Sequence, residues 1–201
     1  MNKKSKLVFG VGINDADYVV QPVVNGKQMM CPYYMAWTHM LERCYSAKYL
    51  AKHPTYIGCY VCNDWLTFSK FKAWMETQSW VDKQPDKDLL LEGNKVYSPT
   101  TCVFVDRITN TFITDRGAAR GEWPIGVDFP STEGKFRARC SNPFTRKVEH
   151  LGYFICPSQA HKAWQAKKHE YACQLADLQE DPRVADALRQ RYAPNKDWTS
   201  I

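Results

Sequence analysis

The sequence predicts an α+β protein. Three patterns carry that expectation: two amphipathic helices near the N-terminus, a strand–loop–strand–helix segment in the middle, and three short strands followed by a long helix in the C-terminal half. Proline and glycine breaks divide the 201 residues accordingly. An arm and small helical subdomain cover 1–80, a mixed segment covers 81–116, a sheet-plus-helix module covers 117–179, and a last helix and tail cover 180–201.

The helical subdomain follows from apolar spacing. A short apolar patch from Tyr18 and an Asn25-Gly26 turn suggest a hairpin or extended arm before it. Trp37, Met40, Leu41 and Cys44 recur at i, i+3, i+4 and i+7, one face of a helix that His53-Pro54 interrupts. Asn63-Asp64 offers N-cap chemistry to a second helix bearing Trp65, Phe68, Phe71, Trp74 and Met75. Such aromatic stripes are core.

In the middle segment, Asp86 to Leu91 reads as a strand, Glu92 to Pro99 as a loop and Thr101 to Val105 as a second strand. Asp106 caps a short helix through Ile108 and Phe112. On the predicted strand, Asp86 and Asp88 lie two apart and share a face, toward which Asn110 on the helix could turn. A carboxylate and an amide oxygen suit one hard divalent cation, Mg2+ or Mn2+, beside a phosphate.

The C-terminal half holds the strongest local pattern. In Gly134–Cys140, Phe136, Ala138 and Cys140 alternate with Lys135, Arg137 and Arg139, so one strand face is apolar and the other cationic. Trp123–Phe129 and His150–Phe154 read as neighbouring strands, and Ser158–Leu178 as a helix behind them. Asp181-Pro182 opens a last helix with Val184, Leu188 and Tyr192 on one side.

Composition agrees with a folded, polyanion-binding protein. Hydrophobic residues make up 44% and aromatics 13%, which excludes a disordered chain. The formal charge is +6, and residues 116–175 alone carry ten Lys or Arg against five Asp or Glu. No apolar run is long enough to span a bilayer, and no apolar stretch follows the basic first residues, so neither a membrane partner nor secretion is expected. Eight cysteines without a secretory signal read as reduced core thiols. Cys59 and Cys62 form one Cys-x-x-Cys pair, but a second pair is lacking and structural zinc is not expected.

Two families enter on these residues. Trp123-Pro-Ile-Gly-Val127, Gly134-Lys-Phe-Arg-Ala-Arg139, His150-Leu-Gly-Tyr-Phe154 and Ala160-His-Lys-Ala163 together resemble the AP2-type DNA-binding domain of phage endonucleases over Arg120 to Leu175. That resemblance implies a sheet face laid against double-stranded DNA with the helix on its back. The residues set toward the duplex are Arg120, Trp123, Lys135, Arg137, Arg139, Arg146 and Lys147. Trp37–Tyr45, Val61–Trp65, Phe68–Phe71, Asp86–Asp88 and Val96–Val105 resemble phage HNH homing endonucleases, which implies a ββα-metal module over 81–116. Asp86 and Asn110 then match the ligands of one Mg2+ or Mn2+ ion.

The HNH pattern has departures. Lys87 stands where the water-activating His belongs, and Thr101 where the central Asn belongs. A protonated lysine is a poor base, so Lys87 is read as an electrostatic clamp on the phosphate. Water activation is left to Asp88, to the metal, or to a His such as His39 or His53. The function implied is a metal-dependent, site-preferring DNA endonuclease of the homing type. It would nick as a monomer or cut both strands as a dimer, in the cytoplasm of a phage-infected cell. The alternative is a catalytically inactive HNH-derived DNA-binding protein, acting as a regulator or an anti-defence factor.

Overall fold

The computed structural model describes residues 7–114 and 122–194. The chain divides into two compact units, Met1–Val105 and Asp106–Ile201. The division runs through the 81–116 segment: its strands belong to the first unit and its helix to the second.

In the first unit, β1 (Val23–Val24) and β2 (Lys27–Gln28) form a hairpin whose turn places both Asn25 and Gly26 at positive φ, 50° and 74°. Those angles match the right-handed twist of a two-residue hairpin. Helix α1 (Pro32–Tyr45) buries the expected face, Trp37, Met40, Leu41 and Cys44. A second short helix, α2 (Ala47–Lys52), follows with the Ser46 side chain accepting from the Tyr49 N–H. Strand β3 (Tyr60–Val61) and a 3-10 turn (Asn63–Leu66) precede α3 (Phe68–Glu76).

Asn63 and Asp64 therefore do not cap α3, which begins after Thr67. The reason lies in the N-terminal arm. Ile13 donates its N–H to the Leu66 carbonyl and accepts from the Phe68 N–H, so backbone pairing on both sides of Thr67 holds that residue extended before the helix starts. Trp37 ties α1 to the same corner through a 2.7 Å bond from Nε1 to the Trp65 carbonyl.

Strand β4 (Gln84–Asp86) pairs antiparallel with β6 (Val103–Val105), Asp86 opposite Val103. Strand β5 (Val96–Tyr97), inside the predicted loop, pairs in parallel with β3. That pairing joins 81–105 to the helices before it. Tyr97, Cys102 and Phe104 lie in one core cluster with Trp37, Trp65 and Phe71. The predicted strand over 86–91 is corrected: β4 ends at Asp86. Asp86 Oδ1 accepts from the N–H groups of Asp88 and Leu89, at 2.8 and 2.6 Å, and this turn draws the chain out of the sheet.

In the second unit, α4 (Arg107–Ile113) is capped by Asp106, which accepts from the Thr109 N–H. Strands β7 (Val127–Asp128), β8 (Phe136–Ser141) and β9 (Val148–Phe154) form an antiparallel sheet in that order. A register shift of the β8–β9 pair falls between Ala138 and Arg139. Helix α5 (Pro157–Ala176) packs on the sheet and α6 (Pro182–Arg191) on α5. Phe112 of α4 stacks edge-on to Tyr192 at 5.1 Å, and Gln179 donates to the Thr109 hydroxyl, so α4 is part of this helical layer. No helix among the described residues is long and apolar enough to cross a membrane.

Small residues set the spacing between sheet and helix. Ala138 of β8 and Ala160 of α5 are fully buried. Gly126 enters β7 at φ 81°, and a Cβ there would come within 2.1 Å of the Trp164 ring. Beside it the His161 Nδ1 bonds the Ile125 carbonyl at 2.9 Å. Gly126→Ala therefore meets both a left-handed backbone and a filled space, and should cost about 2 kcal/mol or more. Thermal melting should show the loss, and Trp164→Ala in the same chain should make the added methyl less costly.

Candidate functional site

The outer face of the sheet is built by the alternation of β8. Ala138 and Cys140 turn inward and are buried; Arg137, Arg139 and Ser141 turn outward. Register then brings residues of the two neighbours to the same face. Arg137 lies opposite Tyr153 of β9 and Asp128 of β7, and Arg139 opposite His150. The His150 and Tyr153 rings are 4.7 Å apart.

This face is not wholly cationic. Arg137 grips Asp128 with two parallel bonds, Nε to Oδ1 at 3.1 Å and Nη2 to Oδ2 at 2.5 Å. Arg139 Nη2 lies 3.2 Å from the same Oδ2. One carboxylate thus bridges two guanidinium groups, lowering their mutual repulsion and fixing their planes. The Arg137 hydrogen bond holds the Asp128 carboxyl below the ordinary carboxylate range, and the Arg139 charge adds to the effect. Asp128, Tyr153 and His150 were not singled out from the sequence. The signal for Asp128 was its place next to Val127 in a strand whose apolar partner is Ala138.

The other anticipated contact residues fall into three groups. Lys135, Arg146 and Lys147 are exposed at the ends of β8 and β9. Arg146 stands in the β8–β9 turn at φ 60°, where Asn142 Oδ1 accepts from the Phe144 and Thr145 N–H groups and shapes the loop. Trp123 is instead a packing residue. Its ring is edge-on to Phe136 at 4.9 Å, and Phe136 belongs to the alternate that points away from the arginines. Arg120 lies outside the described residues.

The anticipated catalytic group is arranged differently from its expectation. Lys87 is only 6% exposed, and its ammonium donates to Asp88 Oδ1 at 2.5 Å and to the Asn94 carbonyl at 2.6 Å. Asn94, also buried, returns two bonds to the carbonyls of Lys87 and Val96. Thr101 closes the loop by donating to the Val96 carbonyl. Lys87 is therefore a tie within the 87–97 loop, which corrects its reading as an outward clamp: burial turns its charge toward a carboxylate and a carbonyl.

The donor set fits a divalent cation poorly. Asp86 Oδ1 is committed to two backbone amides, and Asp88 carries a buried ammonium against its carboxylate. Asn110 stands on α4. Among the described residues no three His, Cys, Asp or Glu side chains group as metal ligands. Cys59 is buried and Cys62 partly so, at the two ends of β3.

The chain is 44% identical over 50 residues to an ethylene-responsive transcription factor of Arabidopsis thaliana. The match covers 25% of this chain and 17% of the plant protein. No family model matches the chain, and no solved structure does.

The Asp128 bridge sets an acid dependence. Its folded value lies below the unfolded one, so its contribution is present at neutral pH and is lost as pH falls through the folded value. The bridge is partly exposed, so that contribution is about 1 kcal/mol or less. A carboxyl titration followed by NMR should place Asp128 below a typical aspartate, and Arg137→Ala should move it back up.

Proposed function

We propose that this chain is a sequence-preferring DNA-binding protein that reads duplex DNA with the outer face of β7–β9. The single observation that carries the reading is the pair Arg137 and Arg139, set side by side on an exposed antiparallel sheet by one carboxylate. The major groove admits a β-ribbon, and arginine forks match the O6 and N7 acceptors of guanine. Lys135, Arg146 and Lys147 at the strand ends suit backbone phosphates, which orient a protein without reading sequence. The likeness to a transcription factor and the AP2-type resemblance both support a DNA partner.

Asp128 has two consequences on DNA. It repels phosphate, and it holds the arginine forks in register with base edges. Arg137→Ala or Arg139→Ala should cost about 1–3 kcal/mol and blunt the preference between a selected and a scrambled duplex. Asp128→Asn should strengthen binding to both duplexes while narrowing the difference between them. Competition binding at two salt concentrations measures each effect. Unchanged affinity in a folded Arg137/Arg139 double variant would sink the proposal.

Metal-dependent nicking is the second reading, favoured by the antiparallel β4–β6 pair followed in sequence by α4. In that reading Asp86 and Asn110 hold Mg2+ or Mn2+. The engagement of Lys87 and Asp86 in loop bonds supports the non-catalytic reading instead. Supercoiled plasmid incubated with the chain and either metal should remain supercoiled. Open circles made by the wild type and not by Asp86→Ala would restore the endonuclease. In either reading the proposed setting is the cytoplasm of a phage-infected cell, with the chain acting on DNA as a monomer or a dimer.

A further inference from the structure

At the C-terminal end of β8, the second unit has a half-open cavity of about 580 Å³. Three cations line it: Arg107 of α4, Arg146 of the β8–β9 turn and Lys168 of α5. No carboxylate is among its described lining residues. Asp106, next to Arg107 in sequence, is committed to the Thr109 N–H and hydroxyl at 2.8 and 2.9 Å. A concave wall of one sign concentrates its field on whatever enters.

One of these charges is held in place, and the backbone that carries another is fixed. Lys168 donates to the Phe112 carbonyl at 2.8 Å, and its ammonium lies 3.5 Å from the centre of the Phe112 ring. The backbone of Arg146 is fixed by a 2.9 Å bond from its N–H to the Asn142 carbonyl. Opposite chemistry completes the wall: Ile108, 41% exposed, and Pro143 offer an apolar surface. A site with multiple cations and an apolar side suits a ligand with a multiply charged head and a flat body. The volume is in the range of small-molecule sites.

We propose that this cavity binds a nucleotide, its phosphate against Arg107, Arg146 and Lys168 and its base against Ile108 and Pro143. Ser141 lines the cavity and shares the outward face of β8 with Arg137 and Arg139, so one wall of the cavity adjoins the proposed DNA surface. The nucleotide has two sources. One is an unpaired nucleotide of a bound strand, which rests on the DNA-binding reading; the other is a free nucleotide, which does not.

Calorimetry of the full chain with adenosine 5′-monophosphate, adenosine and inorganic phosphate tests the site, alongside binding of a blunt duplex and the same duplex with a single-stranded tail. The monophosphate should bind more tightly than adenosine or phosphate. Arg107→Glu and Arg146→Glu should each weaken it about tenfold or more, as loss of a charge-assisted contact does, while Arg137→Ala/Arg139→Ala leaves it unchanged. Both arginines are exposed, and Arg→Gln variants with unaltered melting temperatures guard against misfolding.

If the monophosphate is silent but the Arg107 variant, whose residue has no part in the proposed duplex contact, weakens the tailed duplex more than the blunt one, the ligand is a nucleotide of the strand. If it is silent and both duplexes weaken equally or not at all, the inference is overturned. The Arg137/Arg139 variant judges the sheet separately, because loss of that reading leaves monophosphate binding untouched.

Discussion

The close approach of α5 to the sheet is the constraint on which the rest of the second unit depends. Gly126 has no side chain because the Trp164 ring occupies the space, and the fully buried Ala138 and Ala160 keep the two layers near each other. At Ala138 and Cys140, a helix packed this tightly leaves room only for small apolar groups. The long charged side chains of the same strand have one other direction to take. Arg137 and Arg139 face outward because Ala138 and Cys140 face in.

Charge then shapes what that outer face can do. Two guanidinium groups on alternate positions of one strand repel each other in water only weakly, but they also wander, since each has many rotamers. Asp128 removes both problems at once by bridging them from the adjacent strand. A surface reader with preset forks loses less conformational entropy on contact than one whose arginines must be ordered by the ligand. The same carboxylate opposes any polyanion, so discrimination and raw attraction pull against each other at this position.

In the first unit, hydrogen bonds from polar side chains organise the loop that follows β4. Lys87, Asn94 and Thr101 all spend their hydrogen bonds on the loop between β4 and β6. A buried ammonium is tolerated because a carboxylate and a carbonyl receive it. The β3–β5 pair fastens that loop to the helical core, whose cluster includes Tyr97 and Phe104. The hydrogen bonds of Lys87, Asn94 and Thr101 hold the loop's own backbone.

Local patterns in the sequence determined a good deal: the buried face of α1, the Asn25-Gly26 hairpin, the Asp106 cap of α4, the inward and outward residues of β8, and α5 behind the sheet. Each depends on spacing within one element or on the chemistry of a few neighbouring residues, which is why it was legible. What required the tertiary structure involved partners distant in the chain. Ile13 holds Leu66 and Phe68 and delays α3; Val96 pairs with Tyr60 in a strand too short to show a period. Lys87 turns inward because Asn94 and Asp88 receive it, and Asp128 joins the arginines because β7 pairs with β8 in one register. A side chain's alternation tells which face it takes, but only the pairing of strands decides which charge it meets there, because that charge comes from elsewhere in the sequence.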